Sequence, residues 1–397
     1  MADRETTSVP IRAGFNYASD PALLASHRDE WSRLREEASI FRVPQSSGDA
    51  WYLLSYDDIR NALQDWELFS SDFTAYMEGG HKMIPENLDP PEHTKYRRLL
   101  TSSFSPAAVR AWEPRVRSVC VELIDGFRHQ GACDVVKDFG LQFPTAIFME
   151  MMGLSLERGD EFIARAQTLL HTTDADDPGG SLRVEAAMQI FEDIAELVAE
   201  RRQRPADDLV SHLVVSQVDG RALSDEDLGG MGLLLYLAGL DTVASMLAYS
   251  LRHLAEHPGL RRTLVDQPEL IPSAVEEFLR YYSIATTPRV VTRDAEFGGC
   301  PMKRGDQIII PTASAGRDSR QFPDADHFVV DREPNRHLAF GDGPHRCAGI
   351  HLARMELGIA LEEWHRRIPD YRVADDAVII EHVGNVAGLS AVPIVWD

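Results

Sequence analysis

Apolar positions recur at helical spacing along most of the chain. Leu23, Leu24, Trp31 and Leu34 mark an amphipathic helix over Ala22 to Glu37. A short run, Trp51 to Ser55, reads as a strand, and Asp57 to Leu63 as a short helix. Residues 69–87 lose the period and are rich in Gly, Ser and aromatics, the composition of a functional loop. Pro90-Pro91 punctuates the start of a helix carrying His93, Arg97 and Arg98. From Pro106 to about Ser216 the helical pattern resumes, broken near Gly131, Gly153 and across 174–180. The last break separates two helices, about Leu156 to His171 and Ser181 to Arg202, which are either a lid or an ordinary surface pair. Ser224, with Asp227 three residues on, opens a long helix reaching Glu256. At 1.5 Å per residue it spans roughly 50 Å. Its centre is apolar on all sides, as in a buried helix. A helix over Ile271 to Tyr282 follows, then strand patterns at Arg289–Thr292 and Gln307–Ile310, a helix over Ala348 to Trp364 and a strand-like end at Ala391–Trp396. The pattern predicts a mainly α protein with small β-sheets: one domain over 16–397 behind a flexible arm over 1–15.

Composition narrows the class. With 397 residues and 44% hydrophobic content there is material for a large core. A net charge of −23 argues against nucleic acid as a partner, since phosphate binding needs a basic field. Cys120, Cys133, Cys300 and Cys347 are few and widely spaced, with no CxxC pair, which fits a reducing cytoplasm. The N-terminus is polar, and no uninterrupted apolar run reaches the roughly 18 residues of a membrane span.

One cysteine has unusual company. In the stretch Phe340 to Gly349, Cys347 follows two glycines, Gly341 and Gly343, that permit a tight turn, and it precedes the 348–364 helix. A helix N-terminus favours a thiolate, and a thiolate in a pre-shaped loop is a soft metal ligand. The alternative is a buried structural cysteine in a Gly-rich turn.

Other groups break local rules. Asp241 and Thr242 sit in the most apolar part of the long helix, two residues after Gly239, a poor helix former. Such violations mark either an acid–alcohol pair that moves protons or a back-bonded Thr beside an Asp in a structural ion pair. Glu277 and Arg280 share a helix face and read as a surface pair unless a third partner such as Arg332 meets them in the interior. His93, Arg97, Arg289 and His345 are scattered donors that could grip carboxylates if the fold gathers them.

In this order and spacing the elements resemble the cytochrome P450 family over nearly the whole chain from about residue 20. The haem-thiolate pattern F-x-x-G-x-(R/H)-x-C-x-G is met at Phe340, Gly343, His345, Cys347 and Gly349. The pattern (A/G)-G-x-(D/E)-T is met at Ala238 to Thr242, and ExxR at Glu277 and Arg280. Within the family the chain looks most like the soluble camphor hydroxylase group, through Leu88-Asp-Pro-Pro-Glu, Lys303-Arg-Gly-Asp-Gln-Ile and Val392-Pro-Ile-Val-Trp-Asp.

The resemblance implies a triangular α-rich fold with haem b between the long distal helix and the proximal Cys347 helix. It implies Cys347 as iron ligand, and cofactor contacts from His93, Arg97, Arg289, His345, Phe340, Gly349, Ala238 and Gly239. It further implies proton delivery by Asp241 and Thr242, and a structural triad of Glu277, Arg280 and Arg332. Substrate contacts fall on Leu234, Leu237, Ala238, Ala285 and His81, the last standing where the camphor enzyme has a tyrosine. Thr287 replaces an acidic residue of that enzyme. These departures shift the expected substrate from camphor to another compact terpenoid, a monoterpene or an ionone-type norisoprenoid. Dioxygen and a 2Fe–2S ferredoxin complete the partners, the latter docking near Arg97, Arg98, Arg346 and Arg354. Cytoplasmic residence is expected, with no membrane and no nucleic acid involved. A peroxide-driven peroxygenase and a non-enzymatic haem sensor are the alternatives; the intact Asp241–Thr242 pair disfavours both.

Overall fold

Ser224 starts the helix that organises the molecule. Its hydroxyl accepts from the Asp227 N–H at 3.1 Å, and the Asp227 carboxylate accepts from the Ser224 N–H at 2.9 Å. This capping box fixes the first turn of the helix Asp225–Glu256. The chain is seen here in a computed structural model that describes residues 9–46, 48–74, 82–173 and 176–397. The long helix is apolar and long enough to cross a membrane, but 72% of its most apolar window is buried inside the protein. Counting unbroken apolar runs passes over this, because scattered polar residues interrupt the run without lowering the mean.

Two apolar cores meet along this helix. Its first half, Leu228 to Leu240, packs with Gln142–Met152, Gly159–His171, Ser181–Gln203 and Leu209–Val215. From Val243 onward it packs with Pro106–Phe127, Ile271–Tyr282 and Ile350–Arg367, around the fully buried Trp364. Asp241 and Thr242 fall at the seam between the two.

The largest sheet has five strands: β1 (Ile40–Gln45), β2 (Gly48–Leu53), β3 (Phe69–Ser70), β4 (Thr286–Val291) and β5 (Gln307–Pro311), in the order β1-β2-β5-β4-β3. β5 runs parallel to β2 and antiparallel to β4, setting Arg289 opposite Ile308. Strand β1 escapes the periodicity reading because it carries Pro44, which the sheet tolerates because β1 lies at an edge. Residues 9–15 differ from the expected flexible arm. Arg12 N–H donates to Arg42 O and Arg42 N–H to Pro10 O, both at 2.9 Å. Phe15 lies edge-on to Phe41 and Tyr52.

The Glu277–Arg280 pair lies in the interior, with both side chains fully buried. Arg280 Nε and Nη2 donate to the two Glu277 oxygens at 2.8 and 2.7 Å. Arg332 Nε adds bonds of 3.1 Å, and Val329 N–H and Asn335 Nδ2 complete the shell. The third partner that turns a surface pair into a core network is present.

Candidate active site

The turn before the Ile350–Arg367 helix is shaped by glycine. Gly341 and Gly343 both have φ of +69°, and a Cβ on Gly343 would stand 2.3 Å from the Leu63 carbonyl oxygen. The Cys347 N–H donates to Phe340 O at 2.9 Å, closing the loop. The helix begins at Ile350 with Gly349 as its N-cap. Burial pushes the Cys347 thiol up; the Gly349 backbone N–H and Arg97 pull the other way without prevailing. The expected thiolate at a helix start is therefore not what the protein alone sets. Desolvation outweighs the helix terminus, and a metal must displace the proton.

Cys347 borders a cavity of about 240 Å³ between the long helix and the Ile350–Arg367 helix. Leu234, Ala238, Gly239 and Thr242 line one side, and Cys347, Ala348, Gly349, Leu352 and Ala353 the other. Gly239 is explained by packing: a Cβ there would meet the Phe148 ring at 2.7 Å. The Thr242 hydroxyl donates to Ala238 O at 3.1 Å, the helix back-bond that sequence reasoning set against a proton role. Asp241 turns away from this cavity. Its Oδ1 accepts from Gln167 at 2.9 Å and from His171 at 3.0 Å.

The four scattered donors do gather. The rings of His93 and His345 lie 4.2 Å apart. Arg97 and His345 line the cavity, and Arg289 is buried nearby. In their midst stands Glu86, with His345 Nδ1 at 3.7 Å and Arg289 Nη1 at 3.9 Å. Burial raises the Glu86 carboxyl, but His345 and Arg289 outweigh it and hold the group low. His93 is pushed down to about 4, by burial first and then by His345 and Arg97. All four ring nitrogens of His93 and His345 are buried without a hydrogen-bond partner. A cluster with this surplus of donors, already holding one carboxylate low, fits the propionates of haem b. The apolar walls and the Cys347 sulfur fit its ring and its iron.

Not every expected residue joins the site. Leu237 packs into the first-half core instead of lining the cavity, where its neighbour Leu235 stands, because the helix turns it to the far side. Ala285 bridges to Val386 and accepts from Thr312, so its backbone serves the sheet edge and it is not among the cavity-lining residues. Phe340 contributes its carbonyl to the turn, while its ring lies under Arg354 at 4.9 Å outside the cavity. His81 lies outside the described residues. Of the expected docking arginines, Arg97 points to the cavity and Arg346 O, and Arg354 is held by both Glu276 oxygens at 2.6 and 2.7 Å. Arg98 and Arg346 are exposed.

Two acids were missed. Glu86 carries no motif and becomes visible only when the donors converge. Glu356 lines the cavity and burial raises it to about 8. Its signal was legible, since it follows Gly349 and Leu352 at helical spacing on the apolar face.

Comparison with known proteins agrees with this geometry. The family model described as Cytochrome P450 matches residues 26–364. The chain is 37% identical over 364 residues to a probable cytochrome P450 127A1 of Sinorhizobium fredii, covering 90% of this chain and 86% of the relative. It is 35% identical to the nocardicin C N-oxygenase of Nocardia uniformis, with 94% of each chain covered. Among solved structures, CYP101J2 superposes with a TM-score of 0.87 at 30% identity over the whole of both chains. Matched across most of its length by the family model and by relatives named as oxygenases, the chain belongs to the cytochrome P450 family of haem b monooxygenases.

Proposed function

We propose that this P450 hydroxylates a compact hydrophobic terpenoid, a monoterpene or an ionone-type norisoprenoid, with dioxygen and electrons from a 2Fe–2S ferredoxin in the cytoplasm. The observation that carries the reading is the distal wall of the cavity. Among the described residues that wall presents Leu234, Leu235, Ala238 and Phe148, with Thr242 as its polar group. Such a wall holds an apolar molecule by burial and offers no ion pair.

Haem b supplies oxygen activation and C–H oxidation when bound. Cys347 would hold its iron, giving up the thiol proton that burial otherwise retains. His93, Arg97, Arg289 and His345 would hold the propionates. Thr242 faces the cavity and can turn its hydroxyl from Ala238 O to donate a hydrogen bond inward. Asp241, behind it, holds protons for delivery. The Glu277–Arg280–Arg332 network keeps the loop that carries Cys347 in register. The catalytic unit is one domain that takes in residues 9–15.

A panel of monoterpenes and norisoprenoids, scored by the low-to-high-spin shift of the ferric haem, tests the substrate class. At least one member should shift the spectrum at micromolar concentration; a silent panel sinks the assignment.

A further inference from the structure

Asp241 borders a narrow cleft on the face of the long helix turned away from Cys347. Three elements bring polar groups to it. The long helix gives Asp241 and Ser245, the Gly159–His171 helix gives Gln167, and the strand Glu381–His382 gives His382; His171, at the end of its helix, bonds Asp241 from beside it. The rings of His171 and His382 are 4.0 Å apart. Both hydrogen bonds to Asp241 end on Oδ1. Asp241 Oδ2, His171 Nδ1 and His382 Nε2 are buried without a partner. Gly388 lets the second imidazole reach the helix: a Cβ there would lie 2.4 Å from His382 Nε2 and 2.6 Å from Ser245 Oγ.

A purely structural ion pair satisfies its atoms, because each buried unpaired polar group costs about 1–3 kcal/mol. Here three such atoms stand together on three titratable groups. Both histidines are partly accessible from outside, while Asp241 is almost fully buried. We propose that His171 and His382 are the proton-loading pair of Asp241, taking protons from bulk water and passing them to its carboxylate. The inference rests on the reading of Asp241 as a proton donor to the site. In the transfer the His171 Nε2–H bond breaks and an O–H bond forms on Asp241 Oδ1. Before this step His171 takes a proton at its buried Nδ1 from His382, so the ring leaves the transfer as a neutral imidazole protonated at Nδ1. His382 is reloaded from bulk water, proton exchange restores the starting tautomer of His171, and no electrons move.

Burial lowers His382 to about 4, with His171 adding to the fall, while Asp241 and Glu381 pull upward and His27 opposes them. Glu381 itself accepts from Tyr249 at 2.8 Å and pairs with His27, so its charge is fixed. Gln167 is neutral and supplies a constant donor.

The test compares the holoenzyme with its Asp241→Asn, His171→Gln, His171→Ala and His382→Gln variants. Without turnover, histidine-selective nitrogen NMR of the ferrous carbon monoxide form follows each imidazole. The His171 ring signals should move in Asp241→Asn, as its carboxylate partner is lost. The His382 midpoint should rise in His171→Gln, as its cationic neighbour is removed; midpoints that do not move would overturn the coupling. In turnover, NADH-driven dioxygen consumption with a surrogate 2Fe–2S ferredoxin and reductase is measured in light and heavy water across neutral pH. His171→Gln should slow it about tenfold and enlarge the solvent isotope effect. Glutamine keeps a donor for Asp241 but cannot carry a proton through. Wild-type rates in His171→Gln with a loss only in His171→Ala would therefore reduce the contact to a tether and overturn the relay. If Asp241→Asn is slow while both glutamine variants are fast, the relay alone falls. If Asp241→Asn is as fast as the wild type, the proton role of Asp241 falls and takes the relay with it.

Discussion

Two buried acids on neighbouring helices meet different fates. Glu277 has both oxygens filled, by Arg280, Arg332, Asn335 and a backbone N–H. Asp241 has one oxygen doubly bonded and the other bare, against imidazoles that can lose their charge. The first arrangement has permanent cations and no slack, so it holds a shape. The second has titratable partners and unfilled valence, so it can change state. Burial by itself therefore does not separate structure from chemistry. The degree of satisfaction and the kind of partner do.

Removing a partner tests the contrast most severely at Glu277. Arg280→Ala leaves a fully buried carboxylate short of its main cation and should cost about 3–5 kcal/mol of stability, with poor haem retention. Urea unfolding with the absorbance of the bound haem as a second probe measures this; a loss under about 1 kcal/mol would erase the distinction from a surface pair.

Glu356 extends the comparison to an acid raised by burial alone. Burial holds it near 8 against an ordinary 4.5, so between those values the folded protein keeps a proton that the unfolded chain has lost. Stability should fall as pH rises through that window and level off above it. Glu356→Gln should flatten the slope by several degrees of Tm, read by circular dichroism. An unchanged slope would mean that another group owns it.

At Asp241 the expected effect on stability is small. Asp241→Asn keeps the shape and a hydrogen-bonding oxygen, so unfolding should shift by no more than about 1 kcal/mol while turnover slows. A stability loss as large as that of Arg280→Ala would make Asp241 a structural acid like Glu277.

The smallest effects belong to exposed charge. Arg98→Glu and Arg346→Glu should leave unfolding unchanged and slow reduction by ferredoxin at low salt, with the difference vanishing as ionic strength rises. Stopped-flow reduction at several salt concentrations measures it. Equal rates for both variants at low salt would move the docking face elsewhere.

The sequence by itself determined the element list and the chemistry of the turn. Ser224 with Asp227 announced the long helix, the 271–282 helix matched its pattern end to end, and Gly341 and Gly343 announced the loop around Cys347. These are local facts, decided by caps, periodicity and backbone freedom within a few residues. Tertiary structure decided what depends on convergence. It brought Arg332 to Glu277, Glu86 among His93, His345 and Arg289, and His171 and His382 to Asp241. It also turned Leu237 away from the cavity and let burial raise the Cys347 thiol. Desolvation and pairing depend on which surfaces meet, and no spacing along the chain encodes that for residues more than a helical turn apart.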